Sequence, residues 1–183
     1  MKDYRKGELA KEILKGLAMG GFLVACMAMP GLTNIVPLFK PRGAKDRYYI
    51  KRAVKTLKKK RLVNIYTRNG NEVVEITNAG KKKVLEYDLD DMKLKVPKKW
   101  DGWWRIVMFD IPQPKKKGRD AVSRKIKELG MYPIQKSVFV SPYACKNEID
   151  FIGEFFNVRE HIIYIKAKEI EWVRKLKEHF NLS

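Results

Sequence analysis

The pattern of hydrophobic and polar positions changes its period along the chain, and the clearest helical stretch lies in the first half. Lysines and arginines occupy most polar positions from Tyr48 to Lys60. The apolar residues between them recur at the i, i+3, i+4, i+7 spacing of one helix face, at Ile50, Ala53, Val54 and Leu57. This spacing predicts an amphipathic helix with one buried face and one strongly basic face.

Two short runs rich in β-branched residues follow this helix, Leu62–Thr67 and Asn71–Thr77, with Arg68-Asn69-Gly70 between them. Asn-Gly is a strong hairpin signal, because both residues tolerate a positive φ angle. A helical pattern then runs through Asp88, and the hydroxyl of Thr77 stands where an N-cap is expected. The pattern therefore predicts a β-hairpin followed by a further helix.

A stretch without charged residues, Leu17–Phe39, precedes the basic helix. We predict a buried helix from Glu8 to Met29, ended by Pro30-Gly31, and a second, shorter element over Thr33–Phe39. A membrane span is the alternative, since the stretch is long enough to cross a bilayer. Proline, glycine and asparagine interrupt the stretch in its middle, so we favour the buried helix.

The second half of the chain alternates between strand-like and helical patterns. Dense β-branched and aromatic residues predict a strand at Trp104–Ile111. The segment Met131–Tyr143 is extended, either as one long strand or as a bent hairpin. The remaining predicted elements are helices at Lys115–Gly130, Lys146–Asn157 and Glu169–Asn181 and a strand at His161–Lys166. This β-α-β-β-α-β order, with a closing C-terminal helix, is that of a ferredoxin-like fold.

The segment Met92–Lys99 contains four lysines and one proline and has little periodicity, which is typical of a linker. We therefore predict an α+β protein with a domain over residues 1–92, a linker over 93–99 and a ferredoxin-like domain over 100–183. In the first domain the order is helix, helix, basic helix, hairpin, helix. This order indicates a winged helix-turn-helix, a DNA-binding fold.

Charge strengthens this interpretation. The 183 residues include 40 Lys and Arg against 21 Asp and Glu, a formal net charge of +19. Residues 1–99 hold 24 of the basic residues and 10 of the acidic ones, so most of the excess lies in the first half. Such an excess points to a polyanion, either a nucleic acid or an anionic membrane surface. With two cysteines and two histidines, we expect neither a disulfide framework nor a zinc site, and we expect a reducing, cytoplasmic compartment.

The basic helix and its hairpin supply the candidate DNA-binding residues. A helix fits the major groove, where exposed Lys and Arg side chains meet phosphates and base edges. The candidates for base contacts are Lys45, Arg47, Tyr48, Lys51, Arg52 and Lys55. The candidates for phosphate contacts are Lys58, Lys59, Lys60 and Arg61, together with Arg68 and Asn69 at the tip of the hairpin.

Several runs resemble known families. KTLKKKRLVNIYTRNG and ITNAGKKKVLEY resemble winged-helix transcription factors. RIVMFDIP and IQKSVFVSPY resemble the small Cas2 subunit of CRISPR adaptation. Over residues 8–180 the chain resembles the PaaX-like transcriptional regulators, which join an N-terminal winged helix to a Cas2-like domain. The resemblance implies a repressor that binds DNA through its winged helix and forms a homodimer through its ferredoxin-like domain.

Asp110 suggests an enzymatic alternative. In the Cas2 resemblance it matches the Asp proposed to bind metal, and Ser137 and Phe139 lie on the second matching motif. Two such carboxylates in a symmetric dimer would share one Mg²⁺ for phosphodiester cleavage. The competing interpretation is structural: an Asp that accepts backbone N–H bonds or caps the next helix. Because a single carboxylate per subunit is a sparse ligand set for metal-dependent phosphodiester cleavage, we favour the structural role.

Trp103 and Trp104 are neighbours at the start of the first predicted strand, so their side chains point to opposite faces. We predict that one lies in the core and that the other lies at the linker or at a dimer contact. Stacking of nucleic-acid bases on a tryptophan is a further alternative.

Two functions from different classes follow. The first is a dimeric double-stranded DNA-binding protein, a PaaX-like repressor that needs no cofactor for DNA binding and has no membrane partner. The second is a Cas2-like CRISPR-associated protein, either an Mg²⁺-dependent endonuclease or the DNA-binding subunit of a spacer-integration complex with an integrase partner. We favour the first, which is not an enzyme, because the basic excess lies on the predicted DNA-binding helix and not around Asp110.

Overall fold

The computed structural model describes residues 7–19, 23–25, 43–68 and 71–182. It divides into two compact units between Asp90 and Asp91. The predicted element Thr33–Phe39 and the Asn69-Gly70 turn lie outside the described residues. Among the residues that are described, no helix combines the length and hydrophobicity needed to cross a bilayer.

The first unit joins helices to a small antiparallel sheet. Its elements are α1 (Glu8–Ala18), β1 (Leu23–Ala25), α2 (Ala44–Lys59), β2 (Val63–Arg68), β3 (Asn71–Ile76) and α3 (Asn78–Asp91). β2 and β3 form the predicted hairpin, in which Val63 faces Ile76 and Arg68 faces Asn71. The strand order is β1-β3-β2. The basic helix, the hairpin and the following helix are therefore confirmed as elements.

The core of this unit is formed by the apolar faces of its helices together with residues of β2 and β3. Val54 and Leu57 of α2 are buried, and Ile50 and Ala53 pack beside them, as the helical spacing predicts. The other buried members of this cluster are Ile13, Leu14, Leu17, Val63, Val74 and Val84. Because the apolar side of α2 faces this core, its basic side is left exposed.

The prediction of one continuous helix from Glu8 to Met29, of which residues 20–22 and 26–29 lie outside the described residues, is wrong at Ala18. The helix ends there, and Leu23–Ala25 instead forms a strand whose Leu23 pairs with Val74 of β3. Gly20 and Gly21 follow the helix in the sequence, and glycine disfavours the continuation of a helix. Backbone pairing along β3 then stabilises an extended conformation that helical periodicity does not reveal.

The second unit is an α+β domain with one antiparallel sheet. Its elements are β4 (Trp104–Phe109), α4 (Lys116–Glu128), β5 (Tyr132–Gln135), β6 (Val138–Ser141), α5 (Lys146–Phe155), β7 (Ile162–Ala167) and α6 (Val173–Phe180), with short 3-10 turns at Gln113–Lys115 and Arg159–His161. The strand order is β5-β6-β4-β7. Together with the β-α-β-β-α-β sequence of elements, this order defines a ferredoxin-like fold.

The two faces of this sheet are covered differently. One face carries Trp104 and Val140, which cluster with Leu176 of α6. Side chains alternate along a strand, so Val107 and Phe109 lie on the other face, where Phe109 stacks on Phe139 with ring centroids 5.9 Å apart. The C-terminal helix therefore closes part of the face that carries Trp104.

Three predicted boundaries need correction. Met131–Tyr143 is the bent hairpin of β5 and β6 rather than one long strand. β4 ends at Phe109, two residues before the predicted Ile111. The closing helix begins at Val173 instead of Glu169, because Trp172 has a left-handed backbone conformation with a φ angle of 61°. A left-handed residue cannot continue a right-handed helix, so α6 starts after it.

Candidate nucleic-acid interface

The exposed side of α2 carries seven basic residues and one acidic residue. Every described Lys and Arg of the predicted interface is exposed, as the basic face of the helix requires. These exposed residues are Lys45, Arg47, Lys51, Arg52, Lys55, Lys58 and Lys59 on α2, Lys60 and Arg61 after it, and Arg68 at the end of β2. Asn69, the remaining candidate, lies outside the described residues.

None of these basic side chains forms an ion pair with another described residue, unlike Lys15 of α1, whose Nζ lies 2.7 Å from Asp88. Like charges three or four positions apart on a helix repel one another. Lys51 and Lys55 are such a pair, as are Lys55 and Lys59. This face therefore has a positive potential that is not neutralised by described partners, which is the electrostatic requirement for binding a polyanion.

A tyrosine pair lies at the start of the same face. The ring centroids of Tyr48 and Tyr49 are 5.7 Å apart in an edge-to-face arrangement, and 61% of Tyr48 is exposed. An exposed ring among lysines offers an apolar surface for a thymine methyl group or a sugar. The first turns of α2 thus combine cationic and aromatic groups.

The hairpin is attached to α2 through a close backbone junction. Arg61 takes a left-handed conformation with a φ angle of 58° and turns the chain from α2 into β2. The Thr77 hydroxyl donates to the Arg61 carbonyl at 2.8 Å and accepts from the Gly80 amide at 3.0 Å. The predicted N-cap at Thr77 is confirmed, and it also joins the end of α2 to the start of α3.

Gly80 makes this junction possible. A Cβ atom at this position would lie 2.2 Å from the carbonyl oxygen of Leu62, which is far inside van der Waals contact. The Thr77 amide also donates to that carbonyl, at 3.0 Å. The backbone of α3 therefore lies directly against the turn between α2 and β2, so the basic helix and the hairpin keep a defined geometry.

Asp110 lies just after β4, with its side chain exposed. Its amide donates to the His161 carbonyl at 3.1 Å, and the neighbouring Phe109 amide donates to the Ser137 carbonyl at 3.0 Å. Its carboxylate forms no hydrogen bond with the described residues, and the 3-10 turn after Pro112 has no side-chain cap. Neither structural role predicted for Asp110, capping the next helix or accepting backbone N–H bonds, is found among the described residues.

The surroundings of Asp110 also limit its use as a metal ligand. Within the described segments, no three His, Cys, Asp or Glu side chains come together in a way that could hold a metal ion. Mg²⁺ prefers octahedral coordination by oxygen and is held by one or two carboxylates together with water. A magnesium site at Asp110 thus stays a prediction, and it requires a second copy of the chain to supply the other carboxylate.

The tryptophans have different environments, as their neighbouring positions predict. Trp104 is fully buried. Trp103 is half-buried, and the Nζ atoms of Lys166 and Lys168 lie 4.8 and 5.2 Å from its ring centroid. Lysines of the same chain thus lie over the Trp103 ring, which disfavours its use as a platform for stacked bases.

Sequence reasoning missed a buried cation. Arg105 is 5% exposed, and its guanidinium donates to both carboxylate oxygens of Asp101 at 2.7 and 2.5 Å and to the Trp103 and Pro142 carbonyls. Hydrogen bonding to Asp101 raises the pKa of Arg105, and hydrogen bonding to Arg105 lowers the pKa of Asp101. Burial raises the pKa of the neighbouring Cys145 thiol to about 12. The Arg105 guanidinium and the Cys145 thiol are buried, whereas half of the Asp101 side chain is exposed.

The second unit is thus a ferredoxin-like domain with a closing helix and an exposed Asp at the end of its first strand. Residues 97–178 match the family described as the PaaX protein central Cas2-like domain. This domain therefore belongs to the PaaX central Cas2-like family, and the match supports a PaaX-type regulator in general. The match does not extend into residues 1–96. No curated protein matches the chain at a significant level.

Proposed function

We propose that the chain is a dimeric, double-stranded DNA-binding transcriptional repressor of the PaaX type. In this proposal the first unit is a winged helix-turn-helix whose α2 enters the major groove. Its hairpin is the wing, and Arg68 contacts the DNA backbone or the adjacent minor groove. The second unit holds two copies together. No metal or other cofactor takes part in DNA binding.

The observation that carries the proposal is the basic face of α2. It presents many exposed cations and no described ion pair, and its opposite side is anchored in the core by Val54 and Leu57. The bonds of Thr77 and the close approach at Gly80 hold the hairpin at a set position next to the helix. A preorganised basic helix beside a hairpin suits a duplex groove better than a flexible anionic partner.

Dimerisation is supported by an apolar surface on the second unit, the β7 stripe, which consists of Ile163 and Ile165 with their β4 neighbours Met108 and Ile106. Ile163 is 56% exposed and Ile165 is 38% exposed. In the register of the sheet, Ile163 pairs with Met108 and Ile165 with Ile106. β7 is also an edge strand, so its outer backbone groups are available for pairing. A second copy of the same strand would cover this stripe symmetrically.

The proposal is tested by removing three charges from α2 in the full chain, as Lys51→Ala, Arg52→Ala and Lys55→Ala together. We expect duplex affinity at fixed salt to fall by about 100-fold or more, because each phosphate contact that is lost weakens binding. The matched control removes two lysines and one arginine from the second unit, as Lys136→Ala, Arg174→Ala and Lys175→Ala. Equal affinities of the α2 variant and this control would overturn the proposal.

The nuclease alternative depends on one exposed carboxylate. The Asp110 carboxylate is exposed and forms no hydrogen bond with the described residues, which keeps this alternative open to experiment. Mg²⁺-dependent cleavage of duplex DNA that is present in the wild type and lost in Asp110→Asn would favour it. Duplex binding without cleavage in both proteins would leave the repressor proposal as the better account.

A further inference from the structure

Basic residues are unevenly distributed in the second unit. Residues 100–183 contain 16 basic and 11 acidic residues. Seven of the basic residues and two of the acidic ones lie in residues 115–128, and the rest of this half has nine of each. The whole net charge of the second half therefore comes from α4 and the lysine that precedes it.

The exposed basic side chains of α4 lie on one side of the helix. At 100° per residue, four of them fall within about 100° of one another. We call this surface the α4 basic face; its cations are Lys116, Lys117, Arg124 and Lys127, and the exposed Asp120 is the one acid within the same arc. The helix buries its opposite side through Val122, Lys125 and Ile126. From Lys116 to Lys127 the face extends about 16 Å along the helix axis.

Ion pairing leaves most of this charge uncompensated. The acids of α4 are Asp120, which lies 3.4 Å from Arg119, and Glu128, which lies 3.9 Å from Arg124 and 3.4 Å from Lys125. Lys116, Lys117 and Lys127 are exposed and form no ion pair with other described residues. They therefore give the second unit a positive surface separate in sequence from α2.

Helix stability does not explain this arrangement. The first turn of α4 contains no acidic residue and starts with basic residues. Cations near a helix N-terminus interact unfavourably with the helix dipole, and acids there would be favourable. A solubility role would not require the charges to gather on one helix while the remainder of residues 100–183 is neutral.

We infer that the α4 basic face is a second DNA-backbone contact, so that the Cas2-like domain binds duplex phosphates itself. This inference rests on the proposed DNA-binding function and adds a second site to it. A face of about 16 Å spans roughly five phosphates of one strand. Lysines without planar bidentate geometry suit phosphate better than base edges, so these contacts are independent of sequence.

The test uses three full-length proteins: Lys116→Ala, Lys117→Ala and Lys127→Ala together, the α2 variant, and the matched control defined above. Affinity for one duplex is measured at several salt concentrations. We expect the α4 variant to lower the magnitude of the slope of log affinity against log salt by about 2.7 and to weaken binding at least tenfold, for specific and random duplexes alike. Replacing the same three lysines by arginine should restore both values.

The outcomes separate the two proposals. An α4 variant that matches the control, beside an α2 variant that has lost binding, overturns the inference and leaves the proposed function intact. An α4 variant that loses binding while the α2 variant keeps it supports the second contact and overturns the role of α2. Failure of the arginine variant to restore binding would show that the loss does not come from charge, and this result also overturns the inference.

Discussion

Arg105 shows how a single residue links two distant parts of the second unit. Its guanidinium is held by Asp101 and by the carbonyl of Pro142, which lies 37 positions later in the chain. A buried cation without its counter-ion is costly, because the charge has been removed from water and is no longer compensated. The bond to the Pro142 carbonyl therefore joins the start of β4 to the loop after β6, and the ion pair to Asp101 compensates the buried charge.

Replacing Asp101→Asn should lower the free energy of unfolding by about 1–3 kcal/mol at pH 7, because Arg105 keeps its charge but loses a carboxylate partner. Urea unfolding measures this. The exposed pair of Arg174 and Glu178 provides the control, and Glu178→Gln should cost less than about 0.5 kcal/mol. A cost for Asp101→Asn no larger than this would contradict the assigned role of the pair.

The pH dependence of this difference has a definite sign. The pKa of Asp101 is lower in the folded protein than its ordinary value of 3.8, because it accepts hydrogen bonds from Arg105. The stability that this carboxylate contributes is therefore complete above the unfolded-state pKa and disappears as the pH falls through the lower folded value. The difference between wild type and Asp101→Asn should be constant at neutral pH and shrink only in strong acid.

The sequence predicts the environment of some residues better than that of others. The cations of α2 are predictable because their exposure follows from the helical period of Val54 and Leu57. The hydrogen-bond partners of Arg105 cannot be predicted from the sequence, because the pairing of β4 with β6 is what brings the Pro142 carbonyl close to it. The position of Asp110 at a strand end predicts that it accepts backbone N–H bonds or caps the next helix, but its carboxylate has neither partner among the described residues.

At the scale of elements, the position of the hairpin depends on one glycine. Gly80 brings the backbone of α3 against the Leu62 carbonyl, and no side chain fits between them. The candidate DNA-binding residues lie on α2 and β2, on either side of this turn. The packing of α3 thus sets the angle at which helix and hairpin would meet a duplex.

Gly80→Ala should destabilise the first unit by about 1–3 kcal/mol, because the added methyl group overlaps a backbone oxygen that cannot move without shifting α3. Gly43→Ala serves as control, since a Cβ atom there has no neighbour within 4 Å. The urea concentration at the midpoint of unfolding is measured for both variants. A Gly80→Ala protein as stable as the Gly43→Ala protein would show that this junction tolerates rearrangement.

Helices and strands can be predicted where a local sequence signal specifies them. They are missed where pairing with a distant strand determines the conformation. The hairpin and the helix after Thr77 follow from Asn-Gly and an N-cap, both of which act within a few residues. β1 follows from its pairing with β3, about fifty positions away, and so a helix was expected instead. The late start of α6 depends on the left-handed Trp172, and tryptophan carries no sequence signal for that conformation.

At the scale of the whole molecule, the account rests on two copies acting together. Two half-sites held by one dimer bind far more tightly than one, because the second contact becomes intramolecular. The ferredoxin-like topology was predictable from the alternation of patterns in residues 104–166. The exposure of Ile163 and Ile165 could not be predicted, because an apolar residue in a strand normally indicates a position in the core.

Ile163→Lys should convert the proposed dimer to a monomer, since it places a charge in the centre of the β7 stripe. Sedimentation equilibrium measures the mass, and duplex affinity should fall by about tenfold or more with the loss of avidity. Leu85→Lys, at another exposed apolar position, is the control and should remain dimeric. A monomeric wild type, or a dimeric Ile163→Lys protein, would contradict this assembly.

The central claim is that the exposed face of α2 meets duplex DNA, and photo-crosslinking tests it most directly. A photoreactive p-benzoylphenylalanine is placed at Tyr48, which is 61% exposed, or at Trp172, which is 56% exposed and lies before α6. Each protein is irradiated with the same labelled duplex. We predict a covalent adduct from position 48 and little from position 172. No adduct from position 48, or equal yields from both positions, would contradict the account.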